Sequence, residues 1–251
     1  VDRALITHGH SDHARAGHGH VLATQETLAI MRGRMGPGAM KASQAMRYGE
    51  ILQMGEVAVS FHPAGHVLGS AQIALEYRGS RIVLSGDYKR RADPTCPAFE
   101  PVPCDVFITE ATFALPVFRH PDDTGEIARL MASRRLFPDR AHLVGAYSLG
   151  KAQRLICLIR QAGYAGPIFT HGAMDAMNAL YQAQGIALGE LRPVLKSTKE
   201  ELRGALVICP PSALKDRWAA RFDDPVLSMA SGWLGVKQRA KAVGLELPLV
   251  I

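Results

Sequence analysis

His8-Gly9-His10-Ser11-Asp12-His13 sets three imidazoles and a carboxylate within six consecutive residues. Neutral imidazole and carboxylate are ordinary zinc ligands, and this density suits two ions sharing one site. A solvated polar loop would account for the histidines. It would not account for the interleaved Asp12, or for the apolar run Ala4-Leu5-Ile6 just before the cluster. Two further candidates follow along the chain. His66 lies in the turn Gly65-His66-Val67-Leu68-Gly69-Ser70, after the alternating residues 57–61, and Asp87 lies in Ser85-Gly86-Asp87-Tyr88, directly after the apolar residues 82–84. Either alone reads as a turn residue, because Gly-Asp is a common turn pair. Their order behind the histidine cluster makes them candidate ligands.

The elements that must hold these residues read as strands with short turns up to about residue 88. One helix is predicted over 25–32, with Thr24 as its N-cap. A Pro-containing connector, 90–103, leads to a strand at 105–110. From about residue 113 the rhythm changes. Predicted helices at 124–133, 150–162, 174–184 and 213–221 alternate with short apolar strands at 142–146, 167–170, 206–209 and 226–229. Such alternation predicts a mostly parallel sheet with helices on its faces. In the helix beginning at Gly150, Leu149, Ala152, Leu155, Ile156, Ile159 and Ala162 share one face. Ser148 reads as its cap and Gly163 as its closing residue. Its N-terminus and Lys151 suit an anion, although a capped helix with an exposed lysine explains the same residues. The stretch from Gly145 to Ala152 is close to a P-loop, but Ala152 stands where magnesium would require Ser or Thr.

Composition agrees with a packed α/β chain. The 251 residues are 47% hydrophobic, enough for one large domain or two modest ones. The net charge of +6 and a pI near 9.3 favour polyanionic partners. Cys96, Cys104, Cys157 and Cys209 form no Cys-x-x-Cys pair and read as reduced thiols of a cytoplasmic protein. No stretch is long and apolar enough to span a membrane, and no signal peptide is visible. His18 and His20 read as bystanders in a Gly-rich loop. His62 is either a partner of a ligand or structural, and His120, His142 and His171 are structural. Trp218 reads as core, and Trp233 favours packing over base stacking.

His8-x-His10-x-Asp12-His13, then His66, then Asp87 resemble the successive metal motifs of the metallo-β-lactamase superfamily. Val106-Phe107-Ile108-Thr109-Glu110-Ala111-Thr112-Phe113 resembles the acidic motif that opens the β-CASP insertion of nucleic-acid-processing members. Gly145-Ala146-Tyr147-Ser148-Leu149-Gly150-Lys151 resembles the Tyr-Ser-x-Gly-Lys segment of the DNA-directed branch. With Phe118-Arg119-His120-Pro121 and Ser231-Gly232-Trp233, the likeness runs over essentially the whole chain. It is strongest to bacterial ligase-associated DNA exonucleases.

The resemblance implies an α/β fold, a metallo-β-lactamase αββα sandwich with an inserted α/β β-CASP domain. Its first part would be residues 1–112, the insertion 113–234, and the return to the sandwich 235–251. It implies two zinc ions, with manganese as an alternative. His8, His10 and His66 would bind one, Asp12 and His13 the other, and Asp87 both. A hydroxide activated between the ions would attack a phosphodiester, with Asp12, Asp87 and Glu110 as catalytic residues. Glu110 would orient a further histidine or assist proton transfer, unless it is a structural strand-end carboxylate. Tyr147, Ser148 and Lys151 would contact substrate. The implied partners are DNA, single-stranded or with a free end, and a DNA ligase and helicase in repair. Family members carry a β-hairpin before the histidine cluster and a further ligand histidine after the insertion, so the chain is expected to be an internal piece of a longer protein. Two other readings stay open: an RNA-processing β-CASP nuclease and a non-catalytic nucleic-acid-binding relative. A small-ester hydrolase would not need the long helical insertion.

Overall fold

The computed structural model of the protein describes residues 1–236 and 244–251. The chain divides into two units, Val1–Thr112 and Phe113–Ile251. In the first, β1 (Arg3–Leu5), β2 (His18–Ala23) and β3 (Met40–Ala45) form a parallel sheet in that order, with helix α1 (Gln25–Met35) between β2 and β3. Parallel neighbours need such a crossover. Thr24 starts the helix as the sequence predicts, its hydroxyl accepting the Thr27 N–H at 3.2 Å. The helix runs past residue 32 and stops where the Gly36 N–H, at φ 82°, bonds the Arg32 carbonyl.

The second sheet of this unit runs β4 (Ile51–Met54), β5 (Val57–Pro63), β6 (Ala71–Tyr77), β7 (Ser80–Leu84) and β8 (Val106–Ile108). Its pairs are antiparallel except β7 with β8, because residues 85–105 carry the chain back before β8 starts. The period of two decides the packing of β2. Val21 and Ala23 pack with Leu28 and Met31 of α1, whereas Leu22 packs with Val59, Phe61 and Ile73 of the other sheet. This makes a helix-sheet-sheet sandwich. Burial of a side chain such as Phe61 or Leu28 contributes roughly 1.5–3 kcal/mol.

The second unit is built on six parallel strands, as the alternation of helices and strands predicts. They are β9 (His142–Gly145), β10 (Ile168–Thr170), β11 (Leu191–Pro193), β12 (Leu206–Cys209), β13 (Val226–Ala230) and β14 (Leu247–Leu249), in the spatial order β11-β10-β12-β9-β13-β14. Every residue of β9 and β12 is buried, as expected of strands covered on both faces. Among the described residues, the helices are α2 (Asp123–Leu136), α3 (Lys151–Gln161), α4 (Asp175–Ala183) and the short α5 (Lys199–Leu202).

Several expectations are corrected here. The helix predicted over 213–221 is two 3-10 turns, Pro211–Lys215 and Arg217–Arg221. Asp216 is extended between them and its carboxylate accepts the Arg217 N–H at 2.6 Å, ending one turn and capping the next. Ser148 does not cap α3. The Gly150 N–H donates to Gln153 Oε1 at 2.8 Å, and the Gln153 amide in turn donates to the Ser148 carbonyl. Arg154, outside the predicted apolar face, is buried and paired with Asp123 of α2. Leu247–Leu249, within the stretch read as returning to the first sandwich, pairs parallel with β13. A short apolar run fits any covered parallel edge. Residues 237–243 of that stretch lie outside the described residues. Among the described residues, no helix is long and apolar enough to cross a membrane.

Candidate metal centre

His8 and His10 lie in the loop after β1, His66 in the turn between β5 and β6, and Asp87 in the loop after β7. Three strand ends of the first unit thus deliver residues 8, 66 and 87 to one point. The donor atoms of His8, His10, His66 and Asp87 all lie within 4.8 Å of one another. His8 Nε2 stands 3.0 Å from His10 Nδ1, and His66 Nε2 stands 3.2 Å from the same atom. Asp87 Oδ2 is 3.8 Å from His8 Nε2 and 3.6 Å from His66 Nε2. A tetrahedral ion with bonds of about 2.0–2.1 Å needs donors roughly 3.4 Å apart, so the set fits a zinc-sized cation. The other Asp87 oxygen, Oδ1, lies 3.2 Å from His13 Nε2. Asp12 stands apart, its side chain 73% exposed and its Oδ2 3.8 Å from His13 Nε2.

Packing beneath the loop fixes this arrangement. A Cβ at Gly9 would meet Ile30 Cγ2 of α1 at 2.4 Å, so no larger residue fits between the two ligands. Arg34 donates to the Gly9 carbonyl at 2.5 Å. Ser70 Oγ accepts the N–H groups of His66 and Val67, at 3.0 and 3.2 Å, closing the turn that carries His66. Gly65 has φ +69°, and a Cβ there would meet the Lys89 carbonyl at 2.5 Å.

Thr7 Oγ1 lies 3.1 Å from His8 Nδ1 and 3.4 Å from His13 Nδ1. With both Nδ1–H groups donating to this hydroxyl, the Nε2 lone pairs of both rings face Asp87 and its neighbours. The pKa of His8 is lowered to about 2, first by burial and then by the charges of His66, His10 and His13. The pKa of Asp87 is raised, chiefly by burial and against the pull of His13, with Glu110 and Asp12 adding to the rise.

Glu110 follows β8, half-buried, where its carboxylate accepts the Thr112 N–H at 2.7 Å and its own N–H donates to Ser85 Oγ at 3.3 Å. Tyr147, Ser148 and Lys151 belong to the second unit, between β9 and the first turn of α3. Tyr147 is 57% exposed, and Lys151 Nζ donates to the Ile251 carbonyl at 2.6 Å. His62 is not gathered to the cluster and contacts Ser60 Oγ at 3.1 Å and Glu100 at 3.5 Å. Trp233 packs among Phe113 and Phe118, and Trp218 against the core of the second unit. None of the four cysteines forms a disulfide, and burial pushes the Cys209 thiol up to about 12. Sequence reasoning passed over Thr7, Ser70 and Ser85. A hydroxyl immediately before or after a candidate ligand loop was the available signal.

No family model matches the chain. A protein of Opitutus terrae named "Probable DNA ligase" is 30% identical over 237 residues, 92% of this chain and 22% of that protein. An "RNase J-like protein" of Methanocaldococcus jannaschii is 26% identical over 234 residues, 80% of this chain and 53% of its own length. The RNase J-like relative and others named as ribonucleases are metallo-β-lactamase-fold nucleases. Over most of its length the chain resembles metallo-β-lactamase β-CASP nucleases. It thus spans between about a fifth and about a half of the curated relatives it matches. A crystal structure of an Enterococcus faecalis protein of unknown function shares the fold, with a TM-score of 0.55, 14% identity, and coverage of 98% of this chain and 69% of that one. Metallo-β-lactamase nucleases are metal-dependent, which accords with the four-donor cluster of this chain.

Proposed function

We propose that the protein hydrolyses phosphodiester bonds of DNA from an end, in repair beside a DNA ligase, using two divalent cations. One observation carries the two-ion reading. Asp87 turns Oδ2 to His8 and His66 and Oδ1 to His13, so a single carboxylate serves two donor sets. His8, His10, His66 and Asp87 would hold one ion, and His13, Asp12 and Asp87 the other. Zinc suits the nitrogen-rich set, and manganese suits a carboxylate-containing one. Such cations, when bound, supply Lewis acidity at the phosphate and an activated water at neutral pH.

The remaining steps belong to the chain's own groups. His8, neutral at any working pH, donates its lone pair. Thr7 holds the rings in the tautomer that leaves those lone pairs inward. Glu110, near enough to raise the pKa of Asp87, holds or passes the proton that the leaving oxygen takes up. Tyr147 and Ser148 meet the nucleic acid strand, and Lys151 fixes the main chain at Ile251. The DNA reading rests on the Tyr-Ser-x-Gly-Lys segment and on the name of the Opitutus relative. An RNA substrate is the second reading, favoured by the name of the RNase J-like relative.

The test is cleavage of end-labelled single-stranded DNA and matched RNA, with zinc or manganese, using Asp87→Ala as control. Progressive shortening of DNA that the variant abolishes is the expected result. Preferential RNA cleavage would transfer the reading to RNA processing, and cleavage that survives in Asp87→Ala would remove the metal centre from the mechanism.

A further inference from the structure

Helix α1 touches both loops that carry the candidate histidines. At its start, the Thr24 and Thr27 hydroxyls donate to the Gly69 carbonyl at 2.7 and 2.9 Å. Gly69 belongs to the turn that carries His66, and the fit there is close. At its φ of +76°, a Cβ would meet the Thr27 nitrogen at 2.7 Å and Thr24 Oγ1 at 2.8 Å. Both threonines are buried, and a buried hydroxyl must find an acceptor. Thr27 finds it outside its own helix, in the ligand turn. Towards the other end, Arg34 donates to the carbonyl of Gly9, the residue between His8 and His10. The buried Ile30, between these two contacts, fills the space beneath Gly9. Thr27 and Arg34 stand about 10 Å apart along the helix, at 1.5 Å per residue.

We infer that α1 is a splint between the two ligand loops, with Thr27 and Arg34 as positioning residues that hold His66 against His8 and His10. The inference rests on the metal-centre reading above and adds the element that sets its span. His8 and His10 follow a strand of one sheet, whereas His66 lies between two strands of the other. Even so, His66 Nε2 stands 3.2 Å from His10 Nδ1. The main-chain bond from the Ala71 N–H to the Thr7 carbonyl joins the loops at one point, and one point leaves a hinge. The helix supplies a second connection, gripping each loop by a carbonyl, and removes rotation about the first. With either grip cut, the loops can swing apart in the metal-free protein and a cation must gather them again. The cost then falls on metal affinity as well as on folding.

The experiment measures zinc affinity, by competition with a chromogenic chelator, for wild type, Thr27→Val, Arg34→Met and the double variant. Urea unfolding of the metal-free proteins runs alongside to confirm that each is folded. Each single variant should lose about 2- to 13-fold in affinity, the worth of one hydrogen bond. Thr27→Ser and Arg34→Lys, which keep a donor, should bind close to wild type. The double variant decides between a splint and two local effects. Independent changes this far apart add in free energy, so their fold-losses would multiply. Once one grip is cut the helix no longer joins the loops, so the double variant should fall within about twofold of the weaker single variant. Thr27→Ala takes the place of Thr27→Val in the same cycle should the valine not fold. Folded variants that bind zinc like wild type overturn the splint and leave the metal centre standing, and so do fold-losses that multiply. Wild-type protein that binds no zinc overturns both.

Discussion

Thr7→Val tests whether the metal centre is built as the geometry implies. Valine keeps the branched shape of threonine and removes only the hydroxyl that meets His8 Nδ1 at 3.1 Å and His13 Nδ1 at 3.4 Å. In the metal-free protein, His8 can escape the loss by moving its proton to Nε2, 3.0 Å from His10 Nδ1. With a cation on Nε2 that escape is closed, and Nδ1–H is left buried without an acceptor. An unsatisfied buried group costs about 1–3 kcal/mol, or about 5- to 150-fold in affinity. The range agrees with the roughly 10- to 100-fold found when hydrogen-bond partners of metal-bound histidines are removed. Competition for zinc against a chromogenic chelator measures it directly. The main-chain bond from Ala71 N–H to the Thr7 carbonyl, at 2.8 Å, does not involve the hydroxyl, so Thr7→Val should stay folded. Thr7→Ser should recover most of the affinity. A folded Thr7→Val that binds zinc within twofold of wild type would refute the proposed tautomers.

Asp87→Asn should lower the divalent-metal content below that of wild type, read by elemental analysis, and chelation of wild-type protein should abolish the proposed cleavage. Gly9→Ala forces a Cβ to 2.4 Å from Ile30 Cγ2 and should cost roughly 1–3 kcal/mol in urea unfolding, with weaker metal binding. His142 is buried between Ser133 Oγ at 2.9 Å and the Arg140 carbonyl at 3.0 Å, and its pKa is lowered, chiefly by burial. The fold therefore favours the neutral ring. This contribution is fully present above the ordinary value of 6.5 and is lost as pH falls below it towards the lowered folded value. Urea midpoints should fall on acidification through that window, and His142→Leu should flatten this part of the profile.

The first candidate ligands were legible because their types are rare together and their spacing is tight. His66 and Asp87 were legible only by order, since a histidine or aspartate beside glycine is most often a turn. Nothing local to residue 66 or 87 says that β5, β6 and β7 bring them to His8. That information lies in the pairing register, Phe61 against Ile73 and Ile73 against Leu84, which the apolar alternation only suggests. Parallel strands and capped helices of the second unit were readable from periodicity. The region 213–221 was misread because its apolar residues fall at helical spacing while Asp216 competes as a cap. β11 escaped notice because a three-residue edge strand carries little apolar signal. Arg154 was placed off the apolar face because sequence cannot show that Asp123 waits for it in the interior.

The electrostatics of the cluster narrow its chemistry beyond what donor geometry alone can do. A general base works best with a pKa near the operating pH. His8, at about 2, is far too weak a base to hold a proton at neutral pH, and its rings stand 4.2 to 5.0 Å from those of His13, His10 and His66. Protonating any member makes the others harder to protonate. Asp87 is pushed the opposite way, its negative charge disfavoured by burial and by Glu110 and Asp12. A buried imidazole, His8, that resists a proton and a carboxylate, Asp87, that resists its charge are jointly relieved by one partner, a cation that takes the lone pair and balances the carboxylate. A proton relay through His8 would require its pKa to lie near neutrality, and burial holds it far below its ordinary 6.5. At neutral pH the His8 ring is therefore uncharged, with its lone pair open to a cation.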